Sequence, residues 1–294
     1  MRLYSDIIIS GNKAIAKSYA KINLTLDVIA KRIDGYHDVS MVMQSINLYD
    51  NITVIRKEKG IKLSISGAEL PLDGNNIAYK AAEVFFTECG ITGGADIHIE
   101  KNIPIAAGLA GGSSNAAAVL CSLNLLYNTK LSDNELIRIG TMLGADVPFC
   151  IIGGTCLSEG IGEKLTEIDS SIVVDLLLVK PNDGISTARI YSEIDSHSDI
   201  IHPDTESMIN AIQKGDIYRI STLLSNVMEN VTVNHLPEIT DIKDLMSANG
   251  AIGTLMSGSG PTVYGIFKSK ADAMKASVEF TGKYCDVFVT RTYN

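Results

Sequence analysis

The chain has 294 residues, of which 46% are hydrophobic and 20% are charged. This length predicts two domains or one large domain, and the composition is that of a packed globular protein rather than a disordered one. The formal net charge of −9 argues against non-specific nucleic-acid binding, which needs many basic contacts to phosphates, but not against a single nucleotide pocket.

The first half of the chain contains several segments in which apolar and polar residues alternate, a pattern typical of β-strands. It predicts one or two strands over 14–30 and further strands over 41–48, 51–57, 61–66 and 95–102. A helix is predicted over 76–89, closed by Gly90, and no structure or role is assigned before Lys13.

A glycine-rich loop at 106–112 leads into a second predicted helix at 113–127, where alanines and leucines dominate. Ser132 and Glu135 form a capping box that opens a third helix, which extends to Leu143. A tight loop at 144–148 and an apolar strand at 149–158 follow, and the stretch 166–170 is the expected domain boundary.

Beyond that boundary the pattern predicts a buried strand at 173–179 and three or four amphipathic helices between 187 and 248. Two more strands, at 262–267 and 287–291, flank a helix at 271–283. The first half is therefore strand-rich and the second mixed, which predicts the α+β class with domains at 1–167 and 168–294.

The five cysteines are odd in number and form no C-x-x-C pair, and no secretory leader is predicted from residues 1–10. The cysteines are Cys89, Cys121, Cys150, Cys156 and Cys285. We therefore expect reduced thiols in a cytoplasmic protein. The uncharged run 102–129 is not read as a membrane span, because a proline, three glycines and several polar side chains interrupt it.

The segment PIAAGLAGGSSN at 104–115 carries most of the functional information. Its small residues allow backbone N–H groups to approach a ligand closely, and a helix is predicted to begin at its end. The N–H groups of a first helical turn lack intrahelical partners and the helix dipole is positive there, so the segment favours phosphate binding. Ser113 and Ser114 add hydroxyls that can bind phosphate oxygens or a metal ion. The alternative is that the small residues only allow a helix to pack closely on a sheet.

Two common phosphate-binding motifs are absent from the sequence. No G-x-x-x-x-G-K-[ST] occurs, which excludes a P-loop NTPase. The pairs Gly160/Gly162 and Gly258/Gly260 both lack the third glycine of G-x-G-x-x-G, which excludes the dinucleotide-binding motif. No His/Cys cluster has metal-ligand spacing, so no protein-bound structural metal is predicted.

The pattern P-x-x-x-G-L-x-G-G-S-S-N resembles the phosphate loop of the GHMP kinase superfamily. Four further segments match the family in order: AKINL at 20–24, DGYH at 34–37, GADVP at 144–148 and MSGSGP at 256–261. The resemblance extends over roughly residues 14–268. It implies a two-domain fold, with a strand-rich N-terminal domain that carries the phosphate-loop helix and a ferredoxin-like C-terminal α/β domain.

Among GHMP kinases, these segments are most similar to the branch that phosphorylates a hydroxyl of a cytidine diphosphate-linked methylerythritol in non-mevalonate isoprenoid biosynthesis. The resemblance implies ATP with Mg²⁺ as cosubstrate and Lys21 and Asp146 as catalytic residues. Asp146 would accept or guide the proton of the alcohol, and Lys21 would keep Asp146 ionised and stabilise the attacking oxygen. The alternatives are a solvent-facing lysine on a half-buried strand and an aspartate that bonds its own turn.

The resemblance implies two further sets of residues. The ATP-binding set is Asn76, Lys101, Pro104, Ile105, Ala106, Ala107, Gly108, Leu109, Ala110, Gly111, Gly112, Ser113 and Ser114. The substrate-binding set is Asn23, Tyr36, His37, Asn115 and Tyr191, in which His37 would meet the cytosine edge and Tyr191 would stack on the ring. The alternative for His37 is an exposed turn residue.

The sequence departs from the family where Ala106, Ala107 and Ala110 replace glycines of many relatives. We expect the loop to keep its shape, with these residues at negative φ, where a Cβ is tolerated.

Two other functions stay open at this point. One is a GHMP kinase for homoserine or a mevalonate derivative, against which the DGYH segment at 34–37 argues. The other is a non-catalytic nucleotide-binding module, which we would expect to have lost Lys21 or Asp146. We expect a monomer or homodimer that binds only these small molecules, without nucleic-acid or membrane partners.

Overall fold

The computed structural model describes residues 6–195 and 200–294. The described residues divide into two compact units. Unit 1 contains the residues up to Ala20 together with Leu48–Ile103 and Ala110–Gly153, and unit 2 contains Lys21–Asn47, Pro104–Leu109 and Gly154–Asn294. The division into domains at 1–167 and 168–294 stays a prediction.

Strands and helices both contribute extensively to the fold, as the α+β class requires. The strands are β1 Ile8–Ser10, β2 Lys13–Lys31, β3 His37–Lys57, β4 Gly60–Ser66, β5 Gly94–Glu100, β6 Thr155–Gly160, β7 Lys164–Glu167, β8 Asp175–Lys180, β9 Ser225–Asn226, β10 Gly253–Met256, β11 Val263–Phe267 and β12 Asp286–Arg291. The helices are α1 Ile77–Glu88, α2 Gly111–Tyr127, α3 Asp133–Thr141, α4 Val147–Ile152, α5 Thr187–Ile194, α6 Thr205–Lys214, α7 Ile217–Leu223, α8 Glu229–His235, α9 Glu238–Ala248 and α10 Lys270–Ser277.

In unit 1, β5 pairs antiparallel with the second half of β3 and parallel with β4, while β1 pairs antiparallel with the start of β2. The alternating apolar residues of β3 and β5, such as Ile52 and Ile97, are fully buried. Helix α2 is buried from Ser114 to Asn124 and packs on α1 and α4. This burial explains why the run 102–129 carries no charge.

In unit 2, β8, β10, β11 and β12 form an antiparallel sheet in the order β10-β11-β8-β12. Helices lie between β8 and β10 and between β11 and β12, which gives the βαββαβ order of a ferredoxin-like domain. The central strand β8 is buried over Leu176–Val179, as its unbroken apolar sequence predicts. The first half of β3 pairs with β6, and β9 lies parallel to β2.

Several predictions of local structure are confirmed. The helix expected at 76–89 is α1, and the capping box between Ser132 and Glu135 opens α3. The two strands expected at 41–48 and 51–57 are one 21-residue strand, β3. None of the described helices is long and apolar enough to cross a membrane.

The strand expected at 149–158 is wrong over its first six residues. Val147–Ile152 is a helix with proline in its first turn, and Gly153 and Gly154, both at positive φ, separate it from β6. A short apolar run cannot be assigned to strand or helix by periodicity, whereas proline favours a first helical turn. Five helices rather than three or four lie within the described residues between 187 and 248, and Ile8–Ser10 adds the short strand β1.

Candidate active site

A fully buried carboxylate, Asp50, organises the residues of unit 1 around the start of α2. Its Oδ1 accepts hydrogen bonds from the backbone N–H groups of Asn102, at 2.7 Å, and Ile103, at 2.8 Å. Its Oδ2 accepts from Lys101 Nζ at 2.5 Å and from Asn115 Nδ2 at 2.7 Å. Asp50 therefore joins the middle of β3, the chain that follows β5, and α2.

The side chains of Ser114 and Asn115 point into this buried network. Ser18 Oγ donates to Ser114 Oγ at 2.8 Å and accepts from Asn115 Nδ2 at 2.9 Å. The structure thus brings Lys101, Ser114 and Asn115 together, in contact with protein partners. Their assignment to ATP and to the substrate stays a prediction.

The N-terminus of α2 has no side-chain cap. The first intrahelical bond runs from Ser114 N–H to the Ala110 carbonyl, so the N–H groups before Ser114 have no partner within the helix. Gly112 is exposed, and a Cβ placed on it would meet only Ile77, at an ordinary contact distance. An uncapped helix start reached through small residues is suited to an anion.

The loop at 104–112, hereafter the small-residue loop, does not have the backbone that we expected. Ala106 and Ala110 adopt φ of 51° and 56°, so the expectation of negative φ is wrong for both, whereas Ala107 is not at positive φ. The left-handed region costs an alanine roughly 1–2 kcal/mol, which surrounding contacts must offset. Because Ala110 is left-handed at the N-cap position, the loop turns directly into α2.

In unit 2, residues 104–109 of the small-residue loop pack against the segment 256–261, hereafter the second glycine loop. A Cβ on Gly108 would lie 2.2 Å from the Ser257 carbonyl oxygen, so only glycine fits there. Ser257 Oγ also donates to the Gly108 carbonyl at 3.0 Å. The two motifs that resemble the family are therefore in direct backbone contact.

Lys21 is buried on β2 beside the second glycine loop, not on a solvent-facing side of the strand. Its Nζ donates to Asn23 Oδ1 at 2.8 Å, and a Cβ on Gly258 would lie 3.4 Å from the same Nζ. The backbone of Asn23 is held by Tyr264, whose hydroxyl donates to the Asn23 carbonyl at 2.8 Å. Burial raises the pKa of that Tyr264 hydroxyl. The geometry therefore fixes an ammonium group and an amide side by side.

Asp146 lies in unit 1 at the N-cap position of α4, and its side chain makes no capping hydrogen bond. Asp146 therefore does not cap α4, and its catalytic role stays a prediction. The side chain is half-buried, and Pro148 in the first turn fixes the direction of the helix.

His37 is buried at the start of β3 and is enclosed by two residues of the α5 region. Its Nε2 lies 2.6 Å from Asp195 Oδ1, and its ring stacks on Tyr191 with 4.9 Å between centroids. Hydrogen bonds from Lys31 and then from His37 lower the pKa of the Asp195 carboxyl. The structure therefore brings His37 and Tyr191 together, whereas the neighbouring Tyr36 is exposed.

Some residues of this arrangement were missed by the sequence analysis. Asp50 stands alone between two apparent strands and reads as a turn residue, and Asp195 lies in an amphipathic helical region with no motif around it. Only the contact partners identify them. Asn76, which the resemblance places near ATP, has a structural role as the cap of α1, where its Nδ2 also donates to the Pro71 carbonyl.

Two family models match this chain. The GHMP kinases N terminal domain matches residues 76–154, and the GHMP kinases C terminal model matches residues 208–284.

Relatives named 4-diphosphocytidyl-2-C-methyl-D-erythritol kinase are similar over nearly the whole chain. The protein of Caldicellulosiruptor saccharolyticus is 48% identical over 95% of this chain and 96% of its own length. The protein of Alkaliphilus oremlandii is 50% identical over the same shares of the two chains.

Solved structures agree with this similarity. A crystal structure of 4-(cytidine 5'-diphospho)-2C-methyl-D-erythritol kinase has a TM-score of 0.82, with 28% identity over 95% of this chain and 99% of that chain. The L. major mevalonate kinase has a TM-score of 0.71 at 16% identity over 98% of this chain and 97% of that chain, and it shows the shared fold alone.

Replacing Asp50 by asparagine should lower the free energy of unfolding by about 3 kcal/mol. The change leaves Lys101 buried without its counter-ion and turns an amide N–H₂ towards groups that are themselves donors. Asp96→Asn, which removes a partly exposed carboxylate 4.0 Å from Lys57, is the control and should cost less than about 1 kcal/mol. Urea denaturation measures both. Equal losses in the two variants would contradict the role of Asp50.

The left-handed alanines predict an unusual pair of glycine substitutions. Ala110→Gly relieves a strained φ and should change the free energy of unfolding by less than about 0.5 kcal/mol, because relief offsets the added freedom of the unfolded chain. Ala107→Gly relieves no backbone strain and removes a buried methyl group, so it should lower the free energy of unfolding by about 1 kcal/mol or more. Thermal unfolding of both variants checks this. An Ala110→Gly variant as destabilised as Ala107→Gly would refute the left-handed conformation.

Proposed function

We propose that this chain, which belongs to the GHMP kinase family, transfers the γ-phosphate of ATP to a hydroxyl of 4-diphosphocytidyl-2-C-methyl-D-erythritol. The observation that carries the proposal is the near-full-length similarity to relatives that bear the name of this kinase. Within the chain, the uncapped start of α2 supports a phosphate ligand, and the buried Lys21 and Asn23 support charge stabilisation.

ATP would bind with its phosphates at the N–H groups that precede Ser114. The site fits a phosphate because Gly112 is exposed and because the first turn of α2 carries no acidic residue that would repel the phosphate. Ser113, half-buried in that turn, would offer its hydroxyl to a phosphate oxygen. Pro104 and Ile105 lie at the start of the small-residue loop, where the exposed Ile105 side chain would face the nucleotide.

Phosphoryl transfer depends mainly on positioning and on charge stabilisation. Asp146 would accept the proton of the substrate hydroxyl, as the resemblance of the segment 144–148 implies, because a half-buried carboxylate can serve as a general base. Lys21 would stabilise negative charge on the attacking oxygen, and Asn23 would hold the Lys21 ammonium in place through its Oδ1.

His37, Tyr191 and Tyr36 would bind the cytidine diphosphate end of the substrate. His37 and Tyr191 supply two ring faces on which a base can stack, and the imidazole supplies a hydrogen-bonding nitrogen. Asn115, buried against Asp50, would act on the substrate only through the position of α2.

Within 6–195 and 200–294, no three His, Cys, Asp or Glu side chains group in a way that could hold a metal ion. The Mg²⁺ of the proposal is therefore the one that ATP carries on its own phosphates, where it neutralises their charge. We also propose a cytoplasmic enzyme, in which the cysteine thiols stay reduced, and a monomer or homodimer.

The test is ATP consumption with three acceptors: 4-diphosphocytidyl-2-C-methyl-D-erythritol, homoserine and mevalonate. We expect turnover with the first and only background with the others. Preferential use of homoserine or mevalonate would assign the chain to another GHMP kinase, and absence of turnover with all three would favour a non-catalytic nucleotide-binding module.

Asp146→Asn keeps the size of the side chain but removes the base, so kcat should fall by at least about 10²-fold. The dissociation constant of ATP should stay within about twofold, because the phosphates are proposed to bind at α2. Asp133→Asn, at the exposed start of α3, is the control and should retain activity. Steady-state kinetics and ATP titration test both variants, and near-normal kcat in Asp146→Asn would remove Asp146 from the mechanism.

His37→Ala should weaken CDP binding by roughly 1–3 kcal/mol, the usual effect of deleting a buried polar partner, and leave ATP affinity unchanged. His235→Ala is the matched control, because His235 also pairs with a carboxylate, that of Glu193, at 2.6 Å. Calorimetric titration of CDP and ATP into both variants provides the measurement. Equal CDP affinity in the parent and in His37→Ala would make His37 a structural residue.

A further inference from the structure

The side chain of Asn226, in β9, is buried and makes three hydrogen bonds around the second glycine loop. Its Nδ2 donates to the carbonyls of Met256 and Gly258, both at 2.8 Å, and its Oδ1 accepts from Met228 N–H at 3.0 Å. Three residues further on, Glu229 Oε2 accepts from Met256 N–H at 2.7 Å. Side chains of one short segment therefore hold both backbone polar groups of Met256 and the carbonyl of Gly258.

The same segment is attached to the strand that carries Lys21. β9 pairs in parallel with β2 at Thr25 and Leu26, and Val227 N–H donates to the Leu26 carbonyl at 3.0 Å. At the other end of this connection, a Cβ on Gly258 would lie 3.4 Å from Lys21 Nζ. Lys21 is thus connected to Gly258 in two ways. One connection runs along β2, across to β9 and through Asn226, and the other is the direct proximity of Gly258 to Lys21 Nζ. A closed set of contacts of this kind fixes where the Lys21 ammonium lies relative to the loop.

The hydrogen bond to Gly258 also sets the direction of a peptide group. In a planar trans peptide the carbonyl and the following N–H point in opposite directions. Because the Gly258 carbonyl points at Asn226, the N–H of Ser259 points away from Asn226. No backbone acceptor for this N–H occurs among the residues that the structure describes.

We propose that Asn226 is a positioning residue for phosphoryl transfer, which holds the Gly258–Ser259 peptide and thereby places the Lys21 ammonium and the Ser259 N–H. The inference rests on the proposed function for the identity of the acceptor. Asn226 does not itself touch the reacting groups, so its loss should act on the rate of transfer through the geometry of its neighbours.

The test compares Asn226→Ala and Asn226→Ser with Asn124→Ala. Asn124 is the matched control because it is also buried, and its amide likewise bonds a loop through the carbonyl and N–H of Leu131. Stability is measured by thermal unfolding, and kinetics are run well below every melting temperature. Three quantities are determined for each variant: kcat, KM for the cytidyl substrate, and the dissociation constant of ATP without acceptor.

Asn226→Ala should lower kcat about 10-fold or more with KM for the cytidyl substrate within about threefold, and Asn226→Ser should recover part of kcat. ATP affinity should weaken severalfold, because Ser257 contacts Gly108 of the small-residue loop. Asn124→Ala should lose comparable stability while its kcat and ATP affinity stay within about twofold.

Equal kcat values in Asn226→Ala and Asn124→Ala would overturn the inference. Failure of both Asn226 variants to fold would also overturn it, because Asn226 would then serve the fold alone. The parent protein separates the two proposals: if it does not phosphorylate the cytidyl substrate, the proposed function fails. In that case the ATP titrations still test the role of Asn226. An unchanged dissociation constant of ATP in Asn226→Ala would count against the proposed positioning role.

Discussion

The buried carboxylate of Asp50 is the interaction on which the geometry of unit 1 depends. A charge without access to water is tolerated only when hydrogen bonds replace its hydration, and Asp50 has four of them, including one from the Lys101 ammonium. Two come from backbone N–H groups just before the small-residue loop and one comes from Asn115 in α2. The carboxylate therefore fixes both the residues before the loop and the helix that follows it. The N-terminus of α2 is held in position although no side chain caps it.

In unit 2, the positions of the loops are fixed differently, through close backbone contacts that only glycine permits. Gly108 lies so close to the Ser257 carbonyl that no side chain could be accommodated, and Gly258 lies beside the Lys21 ammonium. Such contacts need rigid support, and Asn226 and Glu229 supply it from the segment that pairs with β2. Glycine alone would give these loops freedom of movement, and the buried amide removes that freedom.

The sequence predicted those features whose signal is local. Alternating residues indicated β2 and β5, an unbroken apolar run indicated β8, and the capping box indicated α3. The five motifs led to the family that the comparisons show. Features that depend on contacts distant in the chain were not predicted. Asp50 lies in the middle of β3, where its neighbours suggest a turn between two strands, and only the packing of α2 gives it partners. The left-handed φ of Ala106 and Ala110 was missed for the same reason, because alanine by itself favours negative φ and the surrounding fold overrides that preference.

The left-handed Ala110 has a consequence for the phosphate site proposed at the start of α2. A serine or aspartate at an ordinary N-cap would stabilise a helix by about 1 kcal/mol, but its side-chain oxygen would occupy the same N–H groups that a phosphate needs. Such a cap would compete with an anionic ligand for these N–H groups, and the ligand would first have to displace the side-chain oxygen. With an apolar side chain and a left-handed backbone at this position, α2 cannot cap itself. The helix thus gives up part of its own stability, and the N–H groups stay available to bind an incoming anion.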